Sequence, residues 1–245
     1  QSWVVLENYS AWHNLPIGTM ENGFTGFNTE FTLNNDIVIN HIQRIADLAK
    51  EGIFAYGGRR GKSRPMFVNE ECVFWMNSSA YYGGFKKDIK FKFSQSMLPL
   101  DTNVASKPQN SIIGGATLWV LRGNKESDYK GVAKFFKYMS TSEVQSFWHQ
   151  NTGYVPITTE AYELSKKQFF YEMNPGTDTA IKQLSLNQPT ANSKGLRFGN
   201  FVQIRDIFNE ELEAAWSGQK NAKQAINDAV SRGNVLLRKF EKTVK

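Results

Sequence analysis

Residues 111–121 read SIIGGATLWVL. The run is rich in β-branched and aromatic side chains, the composition of a strand. Gly114 and Gly115 interrupt it, and paired glycines weaken a strand while letting a ligand or another backbone approach closely. Two more short strands are expected upstream, in CVFWM (72–76), which runs into small polar residues, and in FKFSQSMLPL (91–100). The turn-rich DTNVASKPQN (101–110) links the latter to the 111–121 run. Before them, IVINHIQRIADLAKE (37–51) sets Ile37, His41, Ile42, Ile45, Leu48 and Ala49 on one helical face, with Gly52 as its stop. After residue 121 helical spacing takes over. It is marked by Val132, Phe135, Phe136 and Met139, then by SEVQSFWHQ (142–150) with Ser142 or Thr141 as cap. A third helix carries Ala161, Tyr162, Leu164 and Phe169, and a fourth runs from Ile204 to Trp216, closed by Gly218. Asn221 caps a fifth that carries Ala222, Ala225, Ile226, Ala229, Val230, Leu236, Leu237 and Phe240. Strands mixed with helices predict an α/β layered fold with a helical C-terminal portion.

The 245 residues suffice for one large domain or two small ones with filled cores. Four residues in ten are apolar and the charged fraction is ordinary, so the chain reads as globular. A net charge of +6 suits an anionic ligand, an acidic membrane surface or nucleic acid and does not choose among them. A single cysteine, Cys72, excludes an intrachain disulfide, and its apolar setting predicts a buried, inert thiol. No apolar run approaches the roughly 20 residues of a membrane helix. The chain opens directly in apolar, aromatic material, QSWVVLENYSAW, which predicts a fragment or a processed form.

Catalytic signatures are missing from the sequence. GRRGKS (58–63) resembles the end of a phosphate-binding loop, but the required first glycine falls on Tyr56 and the stretch follows a helix. It is expected to be a solvated basic loop. His13, His41 and His149 form no ligand-spacing pair, and no metal or other cofactor is expected. Ser78 and Ser79 sit in no nucleophile elbow, and Glu210 and Glu211 are expected as solvated partners on a helix. Basic residues are spread along the chain and the aromatics fall on helical faces, so nucleic acid is not an expected partner.

A set of loops at element ends remains. NSSAYYGG (77–84) presents the hydroxyls of Ser78 and Ser79, and Gly115 offers a backbone N–H to an anionic oxygen. TGYVP (152–156) ends a helix at the glycine and supplies the phenol of Tyr154, with Thr158 or Thr159 capping the next helix. Arg205 lies just inside a helix, where its planar fork suits phosphate or carboxylate. Each residue also has a purely structural reading. Arg205 could pair with Asp206 or neighbours near Glu210, Gly115 could mark a bulge, and Tyr154 could be a buried wedge bonded to a carbonyl.

LENYSAW (6–12), PQNSIIGGATLWV (108–120), WHQNTGYVPIT (148–158), FYEMNPGTDTA (170–180), GLRFGNFVQIRDIFNEELEAAWSG (195–218) and AVSRGNVLLRKFEK (229–242) together resemble the periplasmic sn-glycerol-3-phosphate-binding proteins of the Ugp ABC importers. The resemblance covers the later part of that family's chain. It implies a type II periplasmic-binding fold like that of maltose-binding protein, α/β in class, with two lobes closing on ligand. Residues 1–97 and 157–245 would then belong to the C-terminal lobe, and 98–156 would go largely with the N-terminal lobe. The family's ligand contacts fall on Ser78, Gly115, Tyr154 and Arg205, while its N-lobe contacts have no counterpart here. The implied role is binding without catalysis: a periplasmic monomer that captures glycerol-3-phosphate, or a glycerophosphodiester such as glycerophosphocholine, and delivers it to an inner-membrane ABC permease.

Phe74, Trp75 and Met76 stand where the family's strand is small and polar, and Ala80 replaces a glycine after the serine pair. These changes are expected to enlarge and stiffen the strand exit. Three alternatives stay open: an uncharged-sugar binder using Trp3, Trp12 or Trp75, an interaction protein that has lost its ligand, and a glycerophosphodiester hydrolase, for which no nucleophile or metal set is visible.

Overall fold

The computed structural model describes residues 1–244. Six helices of nine residues or more organise them: α1 (Asp36–Lys50), α2 (Glu126–Met139), α3 (Ser142–Thr152), α4 (Thr159–Lys167), α5 (Phe201–Trp216) and α6 (Ala222–Val244). The chain divides into two compact units. One comprises Gln1–Met76, Leu98–Ile112 and everything described from Leu184 onward. The other comprises Asn77–Met97 and Ile113–Gln183.

The first unit is built on α1, α5 and α6. Asn35 caps α1 by accepting from the Val38 N–H, and Val38, Ile42 and Ile45 form its buried stripe. The stripe joins Ile204, Phe208, Leu212 and Ala215 of α5 with Ala225, Ile226, Ala229, Val230 and Leu237 of α6 in one core. Small residues on α6 let α5 approach closely, and larger ones fill what is left. Phe31 meets Phe208 edge-on at 5.0 Å and Phe198 at 4.8 Å. Val4, Val5 and Leu6 add to this core from a wide π-helical turn, Trp3–Asn8, that runs into the short helix Tyr9–Trp12.

The second unit has a more polar interior. Phe85, Ala161 and Phe170 are buried beside Gln145, Ser146, His149, Ser165 and Thr177. Ser146 and Ser165 satisfy each other, their hydroxyls 2.9 Å apart, and Gln150 donates to Ser146 at 2.9 Å and to Gln168 at 2.6 Å, while Gln145 and Thr177 donate to backbone carbonyls. Thr158 caps α4 through Ala161, and Gly153 ends α3 in a left-handed conformation with φ +83°.

The helices predicted from periodicity are all present, with their ends moved by a few residues. The three predicted strands are not formed. Among the described residues no ladder exists, and the one bridge joins Gly18 to Phe31. A strand's N–H and C=O groups need a neighbouring strand, and residues 72–76, 91–100 and 111–121 have none. Several apolar side chains of 72–76 and 113–121 stand in solvent, with Phe74 88% and Trp119 85% exposed, whereas Ile112 is buried and Phe93 packs on Phe85.

Three local expectations are also corrected. Cys72 is half-exposed rather than buried. Arg59 in the basic loop is not freely solvated but donates to both Glu213 oxygens, at 2.8 and 2.6 Å. Glu211 is buried between Lys220 and Arg232, at 2.5 and 2.7 Å, instead of lying at the surface.

Candidate functional site

Three of the four residues singled out from sequence meet in the second unit. Ser78 opens a short 3-10 turn, Ser79–Tyr81, and its Oγ accepts from the Ala80 N–H, which leaves its own proton to donate. Ser79 is committed elsewhere: its hydroxyl donates to the Gly153 carbonyl at 2.9 Å. The chemistry of the pair is thereby divided, Ser79 tying two loops together and Ser78 remaining available.

Gly153 could not be replaced in this joint. A Cβ there would collide with the Ser79 carbonyl and crowd Tyr82, and φ +83° is already unfavourable for any other residue. Tyr154 follows. Its N–H donates to Thr152 Oγ1 at 3.1 Å and its carbonyl accepts from His149 Nδ1 at 2.5 Å. Its ring is 41% exposed and not the buried wedge of the structural alternative. Gly115 lies against that ring, since a Cβ on it would sit 3.6 Å from Tyr154 Cε1, and its φ of +119° again requires glycine. A hydroxyl donor, a glycine at an open stretch of backbone and a half-exposed phenol therefore share one loop cluster.

Arg205 belongs to the first unit, on α5. Its partner is neither Asp206 nor a residue near Glu210: Asp206 faces Arg59 at 3.8 Å and Glu210 binds Arg232 at 2.6 Å. The guanidinium grips Glu7 instead, Nε to Oε1 at 2.9 Å and Nη2 to Oε2 at 2.5 Å. Its plane lies over the Phe201 ring at 4.6 Å. Glu7 is fully buried and Arg205 is 40% exposed, so a carboxylate from inside the unit fixes one edge of the fork while Nη1 stays open to an anion. Burial pushes the Glu7 carboxyl up, and the guanidinium opposes that shift.

Glu7, Ser79 and His149 were not assigned these roles from sequence. Glu7 had a visible signal, a lone carboxylate in the apolar run WVVLEN. The other two act through backbone carbonyls, which no residue pattern displays. The aromatic run ahead of Ser78 is partly accounted for: Trp75 donates to Ser63 Oγ at 2.9 Å and stacks on Phe67. Trp12 is 2% exposed and presents no open ring face for sugar stacking, and Trp3 packs, partly buried, against the core.

Solved structures share this fold. Over 97% of the chain it superposes on UgpB from Mycobacterium tuberculosis in complex with glycerophosphocholine, with a TM-score of 0.72, 17% identity and 56% of that chain covered. It superposes on the maltose/maltodextrin-binding domain MalE from Bdellovibrio bacteriovorus bound to maltotriose over 97% of its length and 58% of that chain, with a TM-score of 0.68 and 13% identity. The architecture is thus that of the maltose-binding-protein-like solute-binding proteins, α/β in class, even though the described residues form no ladder. The sequence pattern of the bacterial extracellular solute-binding proteins matches residues 6–179, and the chain belongs to that family. Over its whole length it is 46% identical to the sn-glycerol-3-phosphate-binding periplasmic protein UgpB of Yersinia pseudotuberculosis and 44% identical to that of Escherichia coli K12. The chain spans 56% of the length of each of these two relatives.

Proposed function

We propose that this chain forms part of the substrate-binding component of an ABC importer, working in the periplasm as a monomer that captures sn-glycerol-3-phosphate or a glycerophosphodiester and delivers it to an inner-membrane permease. The observation that carries the reading is the loop cluster of Ser78, Gly115 and Tyr154, in which the Ser78 proton, the glycine backbone and the phenol are all left open. In this reading Ser78 and the Gly115 N–H donate to ligand oxygens, and Tyr154 packs on the glycerol backbone while its hydroxyl donates. Arg205 supplies the charge. Held by Glu7, its free edge takes a phosphate oxygen in a charge-assisted bond of roughly 1.5–3 kcal/mol. Binding needs no cofactor and involves no bond breaking, so the role is not enzymatic.

The burial of Trp12, the packing of partly buried Trp3 against the core and the engagement of Trp75 favour a phosphate ester over an uncharged sugar stacked on these rings. Calorimetric titration of the protein, as its organism makes it, with sn-glycerol-3-phosphate, glycerophosphocholine and maltose tests the reading. Saturable heat with either phosphate ester and none with maltose is expected. Binding of maltose alone, or of none of the three, would overturn it.

A further inference from the structure

Tyr154 stands on a mounting that extends well behind it. The His149 ring, 2% exposed at the end of α3, lies between two oxygens, with Nδ1 2.5 Å from the Tyr154 carbonyl and Nε2 3.0 Å from the Tyr171 hydroxyl. A carbonyl can only accept, so the imidazole proton resides on Nδ1. Nε2 is then a bare acceptor, and the Tyr171 hydroxyl must donate to it. Phe170 meets the ring edge-on at 5.5 Å and keeps it from turning.

We propose that His149 and Tyr171 are positioning residues for Tyr154: Tyr171 fixes the tautomer of His149, and His149 fixes the peptide plane from which the Tyr154 ring projects toward ligand. The proposal rests on the reading that Tyr154 touches the ligand. It concerns residues that bear no ligand contact themselves.

Three features favour positioning over simple packing. An apolar side chain would fill the His149 site without the desolvation that burying imidazole entails. The bond reaches the very residue whose ring is left exposed. The neighbouring peptide group is held as well, by Thr152 Oγ1 on the Tyr154 N–H and by Ser79 on the Gly153 carbonyl, so both sides of Tyr154 are fixed while its ring is not. Burial also lowers the His149 pKa, which keeps the ring neutral and its tautomer defined at ordinary pH.

The test uses the protein as its organism makes it, labelled with 3-fluorotyrosine, the Tyr154 fluorine resonance being assigned by loss in Tyr154→Phe. His149→Leu removes the donor and is expected to shift or broaden that resonance and to weaken glycerol-3-phosphate or glycerophosphocholine binding by about three- to ten-fold. His149→Asn, whose amide can reach the same carbonyl, should recover most of both effects. Tyr171→Phe should reproduce part of them and serves where His149→Leu fails to fold. In a Tyr154→Ala background the affinity loss should vanish while any loss of thermal stability persists. An unmoved Tyr154 resonance, or an equal affinity loss in both backgrounds, would overturn the proposal. A wild-type protein that binds neither ester would refute the functional reading alone, because the fluorine resonance still decides the positioning.

Discussion

His41 gives the sharpest handle on the stability of the first unit. Its ring stacks on Tyr9 with centroids 3.6 Å apart and planes 10° from parallel, and its buried Nε2 has no hydrogen-bond partner among the described residues. Burial is the main reason that its pKa falls from 6.5 to about 4, with the positive charge of Arg44 and then His13 acting in the same direction. The Val5 carbonyl and Asp101 oppose the shift and do not reverse it. The folded-state pKa lies below the unfolded one, so the unfolded chain binds the extra proton first as pH falls. Stability is therefore complete above about pH 6.5 and is lost progressively toward pH 4. Two and a half pH units at about 1.4 kcal/mol each give a ceiling of roughly 3.5 kcal/mol, reduced by solvent screening because the ring is partly exposed. His41→Phe keeps a ring against Tyr9 and removes the titration. Urea unfolding of wild type and variant at several pH values between 7 and 4.5 isolates the contribution, since His13 and His149, also depressed by burial, titrate in both proteins. The wild type should lose about 1 kcal/mol or more relative to the variant across that range, within the ~3.5 kcal/mol ceiling. Parallel stability curves would refute a His41 held neutral by the fold.

Three further outcomes are expected. Arg205→Ala should weaken glycerol-3-phosphate binding more than Tyr154→Phe, because a charge-assisted bond exceeds a neutral one; equal losses by calorimetry would count against a phosphate role for Arg205. Gly153→Ala should destabilise the second unit by about 2 kcal/mol or more, from the left-handed backbone and the clash with the Ser79 carbonyl, read as a lower urea midpoint. Phe208→Ala, at a fully buried ring packed edge-on to Phe31, should cost about 3–5 kcal/mol in chemical denaturation.

The sequence by itself determined the helices and their stops. Apolar spacing, Thr158 and Asn221 as caps and Gly153 and Gly218 as terminators are local instructions, carried out by hydrogen bonds within a few residues. It also pointed to Ser78, Gly115, Tyr154 and Arg205, in part from loops at element ends and the character of the arginine side chain, and mostly from the resemblance to the glycerol-3-phosphate-binding proteins. The strands were not determined locally. SIIGGATLWVL has the composition of a strand, yet a strand exists only against a neighbour, and none lies beside it among the described residues. The partners of the site residues were equally beyond the sequence. Glu7 stands 198 residues before Arg205, and Ser79 stands 74 before Gly153. Only the tertiary structure decided which serine keeps its proton, which carboxylate grips the arginine and which histidine nitrogen carries hydrogen, because each depends on a long-range or backbone partner that no spacing rule encodes.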